Sequence, residues 1–389
     1  MWRSFRAALV ATAIVLPGTC IAQTNPNPAL NTPDELSWQL FIEVNTSAPG
    51  LNNATFETWA SDTDTFTANP QFPTVATPLA LHAPIVPSLG LAALQESGTL
   101  LPAVPPIPGV GEETRRNQVA FDFIVNSNLH TKSGLKAAFG EMLSFPIDSI
   151  EVKANWLPAD RIPRFTLNRV QLADVPTYFH VNTGSDGKSY ALLSMHIISK
   201  LVPNWTWATF ENTYNPGRCD ILGCRDSFGA VSPVVQPNAT QNQGYPDCDK
   251  TPALTALLKA ASIDRAFVNY CLKGSQTDFT DNTGLDIRLG NSVTESGFVN
   301  QSSCMTCHGR AGFDANGDAT SSAGFDTNGA PLGPIQPTWF WSFSGTPPIY
   351  QGMPGLTRIG TSADFVWSIP FCAIDDSVSP PAKSPCAGK

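Results

Sequence analysis

The run Cys304-Met305-Thr306-Cys307-His308 combines two thiols and an imidazole at the spacing used for covalent attachment of haem. Each cysteine can form a thioether to one vinyl group of a porphyrin, and the adjacent histidine can bind the iron as an axial ligand. With nine Cys and five His in 389 residues, such a match rarely arises by chance. We therefore interpret Cys304, Cys307 and His308 as the residues that bind one haem c. A structural cysteine pair beside an unrelated histidine is the alternative.

The second axial position of the iron decides what such a haem would do. A Met or His there gives a six-coordinate iron that transfers electrons, whereas an open position binds peroxide, dioxygen or another small ligand. Met353 is the first candidate, because a proline follows it on a glycine-flanked loop after the motif. His196, in a predicted strand, and the weaker candidate His180, on a neighbouring one, are the others. An unfilled position remains open as well.

A few other polar residues have spacings that could carry chemistry. Neighbours on a strand face opposite ways, so Met195 and His196 cannot both face a haem. Lys153 and Glu211 lie at ends of predicted strands and could act as acid or base beside the haem. Charged residues of this kind are, however, usually exposed at the protein surface. The segment Asp314–Asp318 spaces oxygen side chains as calcium loops do, but lacks the later glycine and glutamate, which favours a solvated turn.

The first residues have the composition of a secretory signal. Arg3 and Arg6 are followed by an apolar stretch at Ala7–Leu16, and small residues precede a cleavage point that we expect after Ala22. No other segment approaches the length of an apolar membrane span, so the mature chain is expected to have no transmembrane segment. Because haem c is attached outside the bacterial cytoplasm, a periplasmic or secreted location agrees with the motif.

The remaining cysteines fit an oxidising compartment. Without the signal peptide and the motif pair, six are left, and an even number in an exported chain predicts three disulfides. Six cysteines allow 15 pairings, which the sequence cannot separate. Closeness along the chain favours Cys219–Cys224, Cys248–Cys271 and Cys372–Cys386.

The charge of the chain limits its partners. The formal net charge is −9, and loss of Arg3 and Arg6 with the signal would make it more negative. This argues against nucleic acid as a partner. It is compatible with a basic periplasmic redox partner.

The pattern of apolar residues predicts an α+β fold with a mainly antiparallel β core, flanking helices and a C-terminal haem-binding segment. We divide the chain into a signal peptide (1–22), N-terminal helices with a Pro-rich segment (23–117), a β-rich core (118–250) and the haem c-binding segment (251–389). Helices are predicted at Asp34–Val44, Phe56–Phe66, Lys132–Leu143, Pro252–Ala261 and Ile263–Gln276, and over the motif itself. Strands are predicted at Val119–Val125, Ile150–Trp156, Arg164–Val170, Thr177–Asn182, Tyr190–Ser199 and Trp205–Glu211.

Several short sequence segments together resemble those of a group of exported proteobacterial cytochrome c family proteins. The matching pieces, spread over most of the mature chain, are Ser37–Phe41, Glu57–Trp59, Glu151–Trp156, Met195–Ile197, Trp207–Glu211, Cys304–His308 and Asp364–Ser368. The resemblance implies one covalent haem c on a long scaffold. Where such relatives tend to carry a histidine after the Thr-Phe-Glu phrase, this chain has Asn212.

These observations predict a periplasmic monohaem c-type cytochrome that transfers single electrons. A haem c enzyme, a peroxidase or oxygenase with an open distal site, is the alternative, because electron transfer alone needs a far smaller domain. A haem-based ligand sensor is a third possibility. The haem is expected between the β core and the C-terminal loops.

Overall fold

A computed structural model describes residues 27–51, 53–82, 107–238, 244–296, 298–320, 333–343 and 355–387. The predicted ligand Met353, the predicted signal peptide and most of the Pro-rich segment lie outside these ranges. Within them the chain combines helices with antiparallel sheets, which confirms the predicted α+β class. None of the helices described is long and apolar enough to span a membrane.

Helices and strands are interspersed along the chain. The helices are α1 (Pro28–Asn31), α2 (Pro33–Asn45), α3 (Asp62–Thr65), α4 (Gln118–Asn126), α5 (Lys132–Ala137), α6 (Ile162–Phe165), α7 (Val175–Tyr178), α8 (Pro252–Ala260), α9 (Cys304–Gly309) and α10 (Ser368–Cys372). The strands are β1 (Ala60–Ser61), β2 (Gly111–Arg116), β3 (Ile150–Pro158), β4 (Val181–Thr183), β5 (Ser189–Ser199), β6 (Thr206–Asn212), β7 (Cys224–Arg225), β8 (Val234–Val235), β9 (Tyr270–Gln276), β10 (Gly312–Phe313), β11 (Trp341–Phe343), β12 (Leu356–Arg358) and β13 (Thr361–Ser362).

The main sheet has seven strands in the order β1-β2-β3-β5-β6-β9, with β4 paired to β5, and all neighbours are antiparallel. It extends beyond the predicted β-rich core at both ends, because β1 and β2 precede residue 118 and β9 follows residue 250. Three small two-stranded sheets join β7 to β8, β10 to β13 and β11 to β12.

The two faces of the main sheet differ in chemistry, because neighbouring residues on a strand point to opposite sides. One face is apolar and packs against α2, whose Trp38 and Phe41 contact Phe210 of β6. The other face is polar over its central strands. There, direct register partners form a row across four strands: Thr114, Lys153, His196 and Thr209. The sheet therefore presents a line of polar groups away from its main core.

Several helices and strands agree in type and position with the sequence predictions. The helices at α2, α8 and α9 and the strands β3, β5 and β6 lie within a few residues of the predicted ranges. The predicted helix at Lys132–Leu143 ends earlier, at Ala137. The predicted helix at Phe56–Phe66 is wrong as a single element, because a 3-10 turn at Thr55–Thr58, the short strand β1 and α3 replace it.

Four predicted elements are of the wrong type over all or part of their length. The strand at Val119–Val125 is helix α4, in which the Asn117 side chain caps the first turn. The second half of the helix at Ile263–Gln276 is strand β9, which completes the sheet edge beside β6. The strand at Arg164–Val170 is replaced by α6 and two left-handed residues, and that at Thr177–Asn182 by α7 and the short strand β4.

Three disulfides link residues in the part of the chain that follows β6. They join Cys219 to Cys224, Cys248 to Cys271, and Cys372 to Cys386, which are the pairs that closeness in sequence favoured. The third ties α10 to the C-terminal tail.

Candidate functional site

The five residues of the Cys304–His308 motif lie on α9. Positions 304, 307 and 308 are three and four residues apart, so their side chains share one face of the helix. The end of β9 holds the start of this helix, because the amide of Gln276 accepts a hydrogen bond from the Met305 backbone N–H and donates one to the Ser303 hydroxyl. The main sheet thus fixes where the motif sits.

The two motif cysteines are free thiols, whereas the six other described cysteines form disulfides. Burial raises the pKa of the Cys304 thiol well above its ordinary value and that of Cys307 to about 11. Both are therefore protonated at neutral pH, which argues against a thiolate nucleophile. Unpaired thiols beside a cavity are the groups required for thioether attachment of a porphyrin.

His308 is fixed in one tautomer. Its Nδ1 lies 2.8 Å from the carbonyl oxygen of Phe365, and because a carbonyl only accepts, Nδ1 carries the hydrogen. Burial lowers the pKa of His308 to about 3, so the ring is neutral at physiological pH. Nε2 then has a free lone pair and no hydrogen-bond partner among the described residues. This is the arrangement in which a histidine binds a metal ion.

A strained turn places the Phe365 carbonyl. Pairing of β10 with β13 brings the chain back beside α9, and Asp364 and Phe365 then both adopt positive φ, at 49° and 72°. Such angles are uncommon for residues other than glycine and persist where surrounding contacts enforce them. Here Lys200 pairs with the Asp364 carboxylate at 2.7 Å, and the indole N–H of Trp205 donates to the Asp364 carbonyl at 3.0 Å. Burial raises the pKa of Asp364, against the effect of Lys200.

A cavity of about 1090 Å³, counting its mouth, lies between the polar sheet face and the C-terminal segment. Its lining includes all three motif residues that the sequence predicted to bind haem. The apolar part of its wall consists of Ile198, Trp207, Leu289, Phe298, Val366, Trp367 and Phe371. The Trp207 ring lies 4.6 Å from the His308 ring, and Trp367 donates to the carbonyl oxygen of Cys307 at 3.2 Å. These aromatic groups suit the flat, apolar surface of a macrocycle.

The polar part of the wall contains His196, with partners that the sequence analysis missed. Its Nε2 lies 3.0 Å from the Asn291 amide nitrogen and 3.3 Å from a carboxylate oxygen of Glu295. Burial would raise the pKa of Glu295, but the charge of His196 and hydrogen bonds from His196 and the Asn291 backbone outweigh it, so the pKa is lowered. Nδ1 of His196 makes no hydrogen bond to a described residue. His196 and Glu295 thus form an ionisable pair at the cavity wall.

Further charged groups line the same wall. Lys153 pairs with Glu112 at 3.0 Å, and Asp62 and Glu151 are joined through Arg116, whose guanidinium is fully buried. Lys153 was expected to be exposed at the protein surface, but it lies at the cavity.

The other predicted candidates lie elsewhere. Met195 faces the apolar core, as the alternation with His196 predicted. His180 lies between Glu57 and Asp264, away from the cavity. Glu211 is fully buried and binds Lys273 and the Ser292 backbone, so its expected exposure was wrong.

Two further positions of interest have ordinary structural roles. The Asp314–Asp318 segment forms a turn in which Lys132 binds the Gly317 carbonyl and the Asp318 carboxylate. Asn212 donates to the carbonyl oxygen of Tyr178.

The residues that sequence reasoning missed at the site are Glu295, Asn291 and Phe365. Phe365 lies within Asp364–Ser368, one of the segments on which the family resemblance rests, whereas no local pattern in the sequence marks Asn291 or Glu295. Comparisons of the chain with protein-family models, with curated proteins and with solved structures gave no match.

Proposed function

We propose that this chain is a periplasmic monohaem c-type cytochrome that transfers single electrons. Cys304 and Cys307 would hold one haem c through thioethers, and Nε2 of His308 would bind its iron. The observation that carries the proposal is the His308 Nδ1 hydrogen bond to the Phe365 carbonyl at 2.8 Å, beside two free thiols that line the same cavity. Haem c supplies one-electron chemistry at its iron when bound.

The chain's own residues would set the environment of that group. The Phe365 carbonyl orients His308 and increases its basicity, which strengthens a histidine as an iron ligand. Trp207, Trp367 and Phe371 would exclude water from the macrocycle. Export would deliver the chain to the compartment in which haem c is attached, and the acidic net charge suits a basic periplasmic redox partner.

The sixth ligand remains a prediction from sequence. Met353 is the first candidate, and its replacement by alanine tests it. If Met353 binds the iron, Met353→Ala should remove the sulfur-to-iron absorption band of the ferric protein and turn a low-spin spectrum high-spin. An unchanged spectrum would exclude Met353. Met142→Ala is a matched control, because Met142 is 92% exposed and does not line the cavity.

Electron transfer itself is tested by voltammetry of the purified, haem-loaded protein. We expect a reversible one-electron couple in buffer without added ligands. An irreversible wave, or a ferric iron that reacts with peroxide before it exchanges electrons, would contradict simple electron transfer.

A haem enzyme is the second candidate function, and one observation favours it. The cavity wall also has ionisable groups, including the His196–Glu295 pair and the Lys153–Glu112 pair. Buried ionisable groups around a cavity are more common at sites of proton transfer than around a group that only exchanges electrons.

A further inference from the structure

We propose that His196 is the acid–base residue for small weak acids of the form H–X that bind at the haem iron. The proposal rests on the haem attachment proposed above, and names the ligand class and the proton acceptor of that same site. His196 and His308 line one cavity, His196 from strand β5 and His308 from helix α9.

The partners of His196 provide for both of its tautomers. The Asn291 side-chain oxygen accepts from the backbone N–H groups of Val293 and Thr294, which fixes the orientation of the amide. Its nitrogen therefore donates, to the Thr209 hydroxyl at 3.1 Å and to Nε2 of His196 at 3.0 Å. When Nε2 instead carries a hydrogen, the Glu295 carboxylate 3.3 Å away accepts it, and the Asn291 nitrogen keeps only its hydrogen bond to Thr209. In the first tautomer, with Nε2 unprotonated, Nδ1 carries the hydrogen and is a donor. In the second tautomer, with the hydrogen on Nε2, Nδ1 is an acceptor.

The second tautomer lets His196 take a proton from a ligand. When H–X binds at the site, Nδ1 of His196 would take its proton, the electron pair of the broken H–X bond would stay on X⁻, and the iron of the proposed haem would hold X⁻. The imidazolium that forms keeps its Nε2–H hydrogen bond to Glu295, whose negative charge stabilises it. No oxidant or reductant is consumed. Release of the ligand reverses the transfer, so His196 also acts as the acid.

The same contacts argue against iron binding through Nε2 of His196. Binding of the iron by Nε2 would break the hydrogen bond with Asn291 and separate the ring from Glu295. Glu295 is itself anchored by the Asn291 backbone N–H at 2.6 Å, so it cannot easily follow. Glu295 and Asn291 are therefore positioning residues for His196.

Cyanide, supplied as neutral hydrogen cyanide at neutral pH, is the probe. The full haem-loaded chain would be mixed with cyanide, and the association rate followed through the Soret band. We expect wild type to bind it and His196→Gln to bind it about 100-fold more slowly, the size of a typical general-base contribution. Glu295→Gln keeps the shape of the side chain and its contact with the Asn291 backbone but removes the charge. Its cyanide association rate should therefore fall between those of wild type and His196→Gln.

The control is His130→Gln, because His130 is buried but does not line the cavity. Its association rate should equal that of wild type. Equal rates in wild type and His196→Gln would overturn the proposal, as would a haem-loaded wild type that binds no cyanide. The latter result leaves electron transfer standing, whereas a chain without covalent haem would instead reject the proposed function. Circular dichroism and the haem content of each variant check that the folds match.

Discussion

The imidazole of His308 donates its Nδ1 hydrogen to the carbonyl oxygen of Phe365 at 2.8 Å. The two residues are 57 positions apart in sequence, and the pairing of β10 with β13 brings them together. The contact fixes which nitrogen of the histidine is available, and Asp364 determines where the carbonyl lies.

The buried Lys200–Asp364 pair should therefore matter for both stability and the site. Both side chains are 8% exposed, and Lys200→Met leaves an unpaired carboxylate inside the protein. We expect a loss of about 3–5 kcal/mol in the free energy of unfolding, measured in urea. In the haem-loaded variant the reduction potential should rise, because a displaced Phe365 carbonyl leaves His308 a weaker electron donor.

Lys188→Met is the matched control for that variant. Lys188 pairs with Asp186 at 3.0 Å, but the side chains are 70% and 40% exposed. Solvent screens an exposed pair, so this change should alter neither stability nor potential appreciably. Equal effects of the two substitutions would show that Lys200 has no special role.

His180 should make stability depend on pH in the alkaline range. Burial alone would lower its pKa, but hydrogen bonds to Asp264 and Glu57 raise the pKa to about 9. A histidine whose folded pKa is raised contributes fully below its unfolded pKa of about 6.5, and the contribution is lost as pH rises through about 9. The shift corresponds to a loss on the order of 3 kcal/mol over that window.

His180→Gln tests this dependence through urea unfolding at pH 6.5 and pH 9. The variant should be less stable than wild type at the lower pH and should approach it at the higher. His130→Gln is the control, because burial lowers the pKa of His130, so any contribution it makes disappears in acid instead. A wild-type stability that is equally high at both pH values would refute the assignment to His180.

The Cys372–Cys386 disulfide should hold α10 against the cavity. It closes a loop with a sequence separation of 14, for which chain entropy predicts a contribution of about 3 kcal/mol. Because Trp367, Phe371 and Cys372 line the cavity, replacing both cysteines by alanine should also speed amide hydrogen exchange over residues 366–372.

The disulfide between Cys219 and Cys224 offers the comparison. Its sequence separation is only 5 and neither cysteine lines the cavity. Replacing this pair should cost less stability and leave exchange over residues 366–372 unchanged. If both double variants alter amide exchange over residues 366–372 alike, the Cys372–Cys386 disulfide has no local effect on the cavity.

The sequence predicted local features better than the relations between distant segments. Strands β3, β5 and β6 could be predicted because they are rich in β-branched and aromatic residues and turn signals separate them, and α2 because its apolar residues share a face. Strand β9 was predicted as a helix because its run, Tyr270–Gln276, is short and mixed, and only pairing with β6 makes it extended.

The same limit applies to the site. The motif Cys304–His308 is contiguous, so its chemistry is readable from sequence. By contrast, the contact of His196 with Glu295 joins residues 99 positions apart, and no local pattern marks it. The polar side of the sheet was visible in the alternation of β3 and β5, but which polar residues meet at the cavity depends on the packing of the segment around Asn291.

Covalent attachment of haem is tested by the mass of the exported protein, compared with that of Cys304→Ser/Cys307→Ser. After denaturation and acid–acetone extraction, wild type should keep the added mass of one haem group, and the double variant should have the mass of the bare chain. The matched exposed change Ser144→Ala should keep the haem. A wild-type chain with the mass of the unmodified polypeptide and two titratable thiols at Cys304 and Cys307 would contradict the account.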